Sequence, residues 1–227
     1  MLDAPVRRAL GPGLDAAAAG LDRVGVRPLA VTGVGWLVGV AACVAVATSH
    51  WGLALVLWLA NRLLDGLDGP LARRHGATDL GGYLDLVADF SIYGGFVVAV
   101  AVAVPEARLA CAVLLLAYYL SGTAFLTLSP LLEKRGDRGD GRSVLFVGGL
   151  AEGTETVVAY AVFCLVPEHA ATVAWVFAAM VALTALQRVG LGIQRLGTRG
   201  QDLGPQDIRP QGPLRTTPDR PRSEETS

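Results

Sequence analysis

The chain has 227 residues, of which 52% are hydrophobic and only 17% charged, and its mean hydropathy is +0.48. Soluble domains of this size carry about a quarter charged residues, so a water-soluble globule, a coiled coil and a disulfide-rich secreted scaffold are all excluded. No charged side chain occurs from Pro28 to Asn61, nor from Phe90 to Pro105. Runs of that length match a hydrocarbon layer of roughly 30 Å, and the chain reads as a polytopic membrane protein.

At the N-terminus, residues 1–27 carry four arginines and lack the apolar core of a cleaved export signal. Leu14, Ala18, Leu21 and Val24 recur at helical spacing, which predicts a short amphipathic helix in the headgroup region. Gly11-Pro12-Gly13 is expected to break it from anything upstream.

Gly, Pro and charge divide the following apolar mass into six predicted spans, near residues 28–48, 52–74, 79–104, 107–133, 145–166 and 170–196. With both termini in the cytoplasm, Arg73, Arg74, Lys134, Arg135, Arg138 and Arg142 fall on the inner face, and Arg108 alone falls outside. The positive-inside rule therefore predicts both ends in. Cys43, Cys111 and Cys164 lie singly in apolar runs and read as small core residues. Beyond Arg199, five prolines in the last 23 residues among Gln, Asp, Arg, Thr and Ser predict a disordered tail. The expected organisation is a juxtamembrane segment (1–27), an all-α domain of six transmembrane helices (28–198) and a cytoplasmic tail (199–227).

Four acids sit where they are costly. Asp65 and Asp68 are three apart on the second span, and Asp85 and Asp89 four apart on the third, so each pair shares a helical face. A short turn makes the two helices antiparallel neighbours, which lets both pairs meet near the cytoplasmic ends. Four carboxylates in one low-dielectric cleft need cations to remain ionised. Oxygen ligands without His or Cys nearby favour Mg²⁺, Mn²⁺ or Ca²⁺ over zinc, and two such ions would balance four aspartates and organise a diphosphate ester. Gly66, Gly69, Ala72, Gly81 and Gly82 clear bulk beside the acids, and Arg73 stands where a phosphate oxygen would accept from its guanidinium. Pro70 removes one backbone donor from the second span.

Asp65-Gly-Leu-Asp68-Gly69-Pro-Leu-Ala72-Arg73, followed by Gly81-Gly-Tyr-Leu-Asp85-Leu-Val-Ala-Asp89, resembles the signature of the CDP-alcohol phosphotransferases, D-x2-D-G-x2-A-R then G-x3-D-x3-D. The gap between the halves is seven residues where the family usually has eight, which leaves open whether Gly81 or Gly82 fills the glycine role. Pro28-Leu-Ala-Val-Thr32 is similar to the family's P-N-x-x-T, with Leu29 in place of Asn. The resemblance implies transfer of a substituted phosphoryl group, in bacteria a phosphatidyl group from CDP-diacylglycerol, to an alcohol with release of CMP. It implies two Mg²⁺ or Mn²⁺ ions held by Asp65, Asp68, Asp85 and Asp89, with Asp89 also the general base. Gly69 and Ala72 then face the cytidine, Arg73 the diphosphate, and Thr32 the nucleotide. A homodimer in the inner membrane with a cytoplasmic site is expected, with a small alcohol acceptor as second substrate and no nucleic-acid partner.

Glu152 and Glu155 open the fifth span at similar depth and are candidate acceptor ligands with Thr154 or Thr156; pairing with Arg188 is the plainer alternative. The loop arginines or His75 touching phosphate, against an ordinary solvated loop, stay open too. Two other functions compete. Asn61-x3-Asp65 resembles the start of a UbiA-type prenyltransferase motif, but the next acid falls one residue early. A divalent-cation transporter would spread its carboxylates across the bilayer.

Overall fold

A computed structural model of the chain describes residues 3–134, 151 and 153–197. Among these residues all regular structure is helical, as composition and periodicity predict. The elements are α1 (Asp3–Arg23), α2 (Pro28–Ala47), α3 (Trp51–His75), α4 (Asp79–Ala103), α5 (Arg108–Lys134), α6 (Gly153–Leu165) and α7 (Ala170–Gly197), with single 3₁₀ turns at Pro105–Ala107 and Pro167–His169. The predicted start of the fifth span and the C-terminal tail lie outside the described residues.

Local chemistry sets the boundaries. Pro28 opens α2, where its missing N–H costs no helical hydrogen bond. Pro105 and Pro167 each start a 3₁₀ turn that reverses the chain into α5 and α7. Thr78 caps α4, its Oγ1 accepting from the Gly81 N–H at 3.1 Å. Helix α3 continues through Pro70 without interruption.

Among the described residues, four helical stretches are long and apolar enough to cross a membrane: Pro28–Ala47, Asp79–Ala103, Pro105–Leu132 and Pro167–Gly197. Helix α3 has 25 residues, about 37 Å of rise, but Arg62, Asp65, Asp68, Arg73 and Arg74 charge its second half. Large apolar side chains such as Leu37, Val56, Val98, Leu116 and Leu186 are exposed on the outside, the surface expected against lipid.

The interior is aromatic. The Phe96 and Tyr160 rings stack at 4.5 Å, and Trp58 tilts against Tyr160 at 4.9 Å. Trp58 Nε1 donates to the Val157 carbonyl at 3.1 Å, and Tyr160 Oη donates to the Tyr93 carbonyl at 2.7 Å. These bonds tie α3, α4 and α6 together around a dry core. Helix α2 packs on both α3 and α4 because glycine brings it close: a Cβ at Gly39 would stand 2.8 Å from Ile92 Cδ1 and 2.9 Å from Asn61 Nδ2.

Helix α1 packs on α3, with Leu14, Ala18 and Leu21 set against Val31, Leu64, Leu67 and Leu71. Two expectations are corrected here. The helix runs unbroken through Gly11-Pro12-Gly13, because residues 8–10 are exposed and the backbone around Pro12 stays open to solvent. Val24, placed on the apolar stripe, is 74% exposed; the chain turns at Gly25 (φ +74°), and Val26 packs on this cluster instead.

Two outcomes follow from this packing. Gly39→Ala should destabilise the protein by about 1–3 kcal/mol, read as a lowered melting temperature in detergent, because Ile92 and Asn61 must both move. Ala18 is fully buried, and Ala18→Glu should unseat α1, read as new protease cleavage before Gly25 with the remaining helices intact.

Candidate active site

The site forms where α3 ends and α4 begins. Gly76, at φ +86°, closes α3, and the two helices run antiparallel from a turn of three residues. Their spacings bring Asp65, Asp68 and Asp85 together: one carboxylate oxygen from each lies within 4.8 Å of the others. Asp68 is buried, at 8% exposure, while Asp65 and Asp85 are partly open. From α2, Thr32 Oγ1 lies 3.2 Å from Asp68 Oδ2 and 3.3 Å from the Pro28 carbonyl, with one proton to share between them.

Asp89 has a different partner. Its Oδ1 accepts from Arg62 Nη2 at 2.9 Å, and Arg62 Nη1 stands 3.5 Å from Asp65 Oδ2. The guanidinium is otherwise held by neutral groups. Asn61 Oδ1 accepts from Nε at 2.9 Å and from Nη2 at 2.7 Å, and Tyr93 Oη accepts from Nη1 at 2.7 Å. It also lies over the Trp58 and Tyr93 rings, 4.8 and 5.0 Å from their centroids. Sequence reasoning passed over Arg62. The available signal was an arginine three residues before Asp65, inside an apolar span, where a cation always needs a partner.

Asp68 and Asp85 open onto a cleft of about 380 Å³ that Thr32, Gly69, Ala72 and Gly82 help to line, while Asp65 and Asp89 line a small adjoining cavity with them. Five residues expected around a nucleotide or its metals from the motif alone, Thr32, Asp68, Gly69, Ala72 and Asp85, therefore line one cleft. Both motif glycines line it as well. A Cβ at Gly81 would meet Thr78 Oγ1 at 3.0 Å, whereas Gly82 faces open space. Arg27 and His75 complete the rim, and His75 Nε2 lies 3.0 Å from Asp22 Oδ1 of α1. Arg73 is exposed: its Nη1 lies against Gly69, and its Nη2 is 3.7 Å from Asp15 Oδ1, also of α1.

The acceptor candidates separate. Glu155 lines an apolar groove with Val158, Val162, Phe177 and Met180, and no aspartate of the cluster reaches that groove. Thr156 lines another cavity of about 430 Å³ with Tyr93, Ser121 and Arg188, whose Nη1 donates to Ser121 Oγ at 2.8 Å. Phe90 and Tyr93, which flank Asp89 on α4, line this cavity too. Glu152, Arg135, Arg138 and Arg142 lie outside the described residues.

The donor set suits a divalent cation. Three carboxylates converge from two helices, and no His or Cys joins their group among the described residues, the pattern of Mg²⁺ or Mn²⁺ coordination rather than zinc.

Comparison with known proteins agrees with this geometry. The chain is 39% identical over 196 residues to the inner membrane protein YnjF of Escherichia coli (strain K12), covering 85% of this chain and 95% of that one. Its fold matches phosphatidylinositol phosphate synthase of Mycobacterium tuberculosis, solved with CDP-DAG bound, with a TM-score of 0.64 at 22% identity over 79% of this chain and 93% of that one. The same synthase in complex with manganese and citrate matches with a TM-score of 0.64 at 23% identity, over 79% and 88% of the two chains. Residues 26–186 match the CDP-alcohol phosphatidyltransferase family throughout the helices that build the cleft, and the chain belongs to that family.

Proposed function

We propose that this protein transfers a phosphatidyl group from CDP-diacylglycerol to the hydroxyl of a small alcohol and releases CMP, at the cytoplasmic side of the inner membrane. The observation that carries the reading is the convergence of Asp65, Asp68 and Asp85 within 4.8 Å, with Asp68 and Asp85 on the wall of a cleft built from α2, α3 and α4. The family supports the reaction class, and the mycobacterial synthase with CDP-DAG bound supports the donor. Helices α3 and α6 would complete six crossings, and a second copy would complete the assembly expected of the family.

Asp65, Asp68 and Asp85 would hold Mg²⁺ or Mn²⁺, which when bound supplies positive charge to the diphosphate oxygens. The chain's own groups do the rest. Gly69, Ala72 and Gly82 leave a smooth wall for the nucleotide, with Thr32 above Asp68. Arg73, already against Gly69, lies within reach of the diphosphate once it leaves Asp15. Asp89 takes the acceptor proton while the acceptor oxygen bonds to the lipid-bearing phosphorus. The bond from that phosphorus to the bridging oxygen breaks, and its electron pair departs with CMP. The acceptor enters from the cavity bordered by Phe90, Tyr93, Ser121, Thr156 and Arg188, whose hydroxyls and guanidinium suit a polyol or an anionic headgroup. On this reading Thr156 serves the acceptor, and Glu155 faces the α6–α7 groove instead.

The acids of α4 all fall between Asp79 and Asp89, and α2 carries none, so neither helix presents the ladder of carboxylates across its length that a transporter would need. The prenyltransferase alternative gains no support from the family match.

CMP release from CDP-diacylglycerol by purified protein, across a panel of alcohol acceptors, tests the reading. Turnover should require Mg²⁺ or Mn²⁺, stop in EDTA, and fall about 10²–10⁴-fold in Asp89→Asn. Turnover that ignores chelation, or that survives Asp89→Asn, would remove the assigned roles.

A further inference from the structure

Arg62 is the one cation in direct contact with the aspartate cluster among the described residues, and its placement is over-determined. A guanidinium has five N–H donors, and here all five have an acceptor. Three go to neutral oxygens, two on Asn61 Oδ1 and one on Tyr93 Oη. The remaining two face carboxylates, Asp89 Oδ1 and Asp65 Oδ2. Asn61 is itself pinned, its Nδ2 donating to the Gly35 carbonyl at 2.8 Å, and the Trp58 and Tyr93 rings cover the guanidinium. The side chain is 10% exposed. Neutral partners thus fix the orientation of the charge, and the carboxylates meet it where it already stands.

We propose that Arg62 is a positioning residue that serves as the resident cation of the centre. It pairs with Asp89 and stands beside Asp65, and so keeps the four carboxylates together when no divalent ion is bound. This rests on reading the cluster as a metal centre. Four aspartates and one arginine sum to −3. Because Arg62 is tethered by Asn61, Tyr93 and the two rings, its charge stays when ions enter. Two dications then bring the site to +1, a sign that favours an anionic diphosphate, whereas four aspartates without Arg62 would only reach neutrality. The resident charge therefore weakens ion binding and strengthens the empty site.

The test is thermal unfolding of the purified full-length protein in detergent, in EDTA and in saturating Mn²⁺, with Mn²⁺ affinity read separately by the EPR signal of free Mn²⁺. In EDTA, Arg62→Gln should melt roughly 5 °C or more below the wild type, because the carboxylates lose the cation in direct contact with them. In Mn²⁺ that gap should shrink by at least about half, and the variant should bind Mn²⁺ about tenfold more tightly or better. Arg62→Lys, which keeps the charge but not the fork, should recover most of the loss in EDTA. A gap of equal size with and without Mn²⁺ would mean that Arg62 only fills space, and would overturn the proposal. If Arg62→Gln gives no folded protein in either buffer, Arg62→Lys decides alone: wild-type stability in EDTA supports the charge role, and an equal loss in both buffers overturns it. The metal-centre reading fails separately, and takes this proposal with it, if the wild type neither binds Mn²⁺ nor melts higher in its presence.

Discussion

Mutual repulsion of carboxylates is the constraint around which this molecule is arranged. At 4.8 Å and an effective dielectric of about 20, each ionised pair costs about 3–4 kcal/mol. A bundle that holds three such groups within this distance, with a fourth one turn away, needs positive charge at the site and rigid walls around it. Arg62 supplies the charge that the chain carries itself. The walls come from close packing: Gly39 lets α2 settle against Ile92 and Asn61, and Asn61 in turn holds the guanidinium. The aromatic core behind Arg62 serves the same end, since Trp58 and Tyr93 belong both to the core and to the cation's surroundings.

Helix α1 braces the helices that border the cleft. Its apolar face covers α3 beside Gly66, where a Cβ would stand 3.3 Å from Leu14 Cδ1, and its acids Asp15 and Asp22 face Arg73 and His75. The exposed Arg73–Asp15 contact, at 3.7 Å, is weak enough for a diphosphate to replace. A helix that precedes the matched family region thus braces His75 at the rim of the cleft.

Much of the site was legible in the sequence because helical periodicity is a strict geometry. Spacings of three and four put Asp65 with Asp68, and Asp85 with Asp89, on common faces, and a short turn forced those faces together. The predicted span starts at 28, 107 and 170, set by the prolines at or just before them, fall within one residue of the starts of α2, α5 and α7. What escaped was whatever depends on distant packing. Trp58 bonds to Val157, 99 positions away, and no local pattern announces that pair. Asp89 looked equivalent to Asp85 by spacing, yet it is Asp89 that pairs with Arg62. Glu155 and Thr156 are neighbours in sequence but line different cavities, because a helix turns about 100° per residue and two grooves flank α6. The helix through Gly11-Pro12-Gly13 shows the converse, a local breaker overridden where exposed backbone can bond to solvent.

Counting Mn²⁺ bound per chain, by EPR on the purified protein with and without CDP-diacylglycerol, tests the account at its centre. The account predicts two ions in the donor-bound state, spin-coupled to one another, with both lost or greatly weakened in Asp68→Asn. Stoichiometric Mn²⁺ binding that persists in Asp68→Asn and in Asp85→Asn alike would place the ions elsewhere and contradict it.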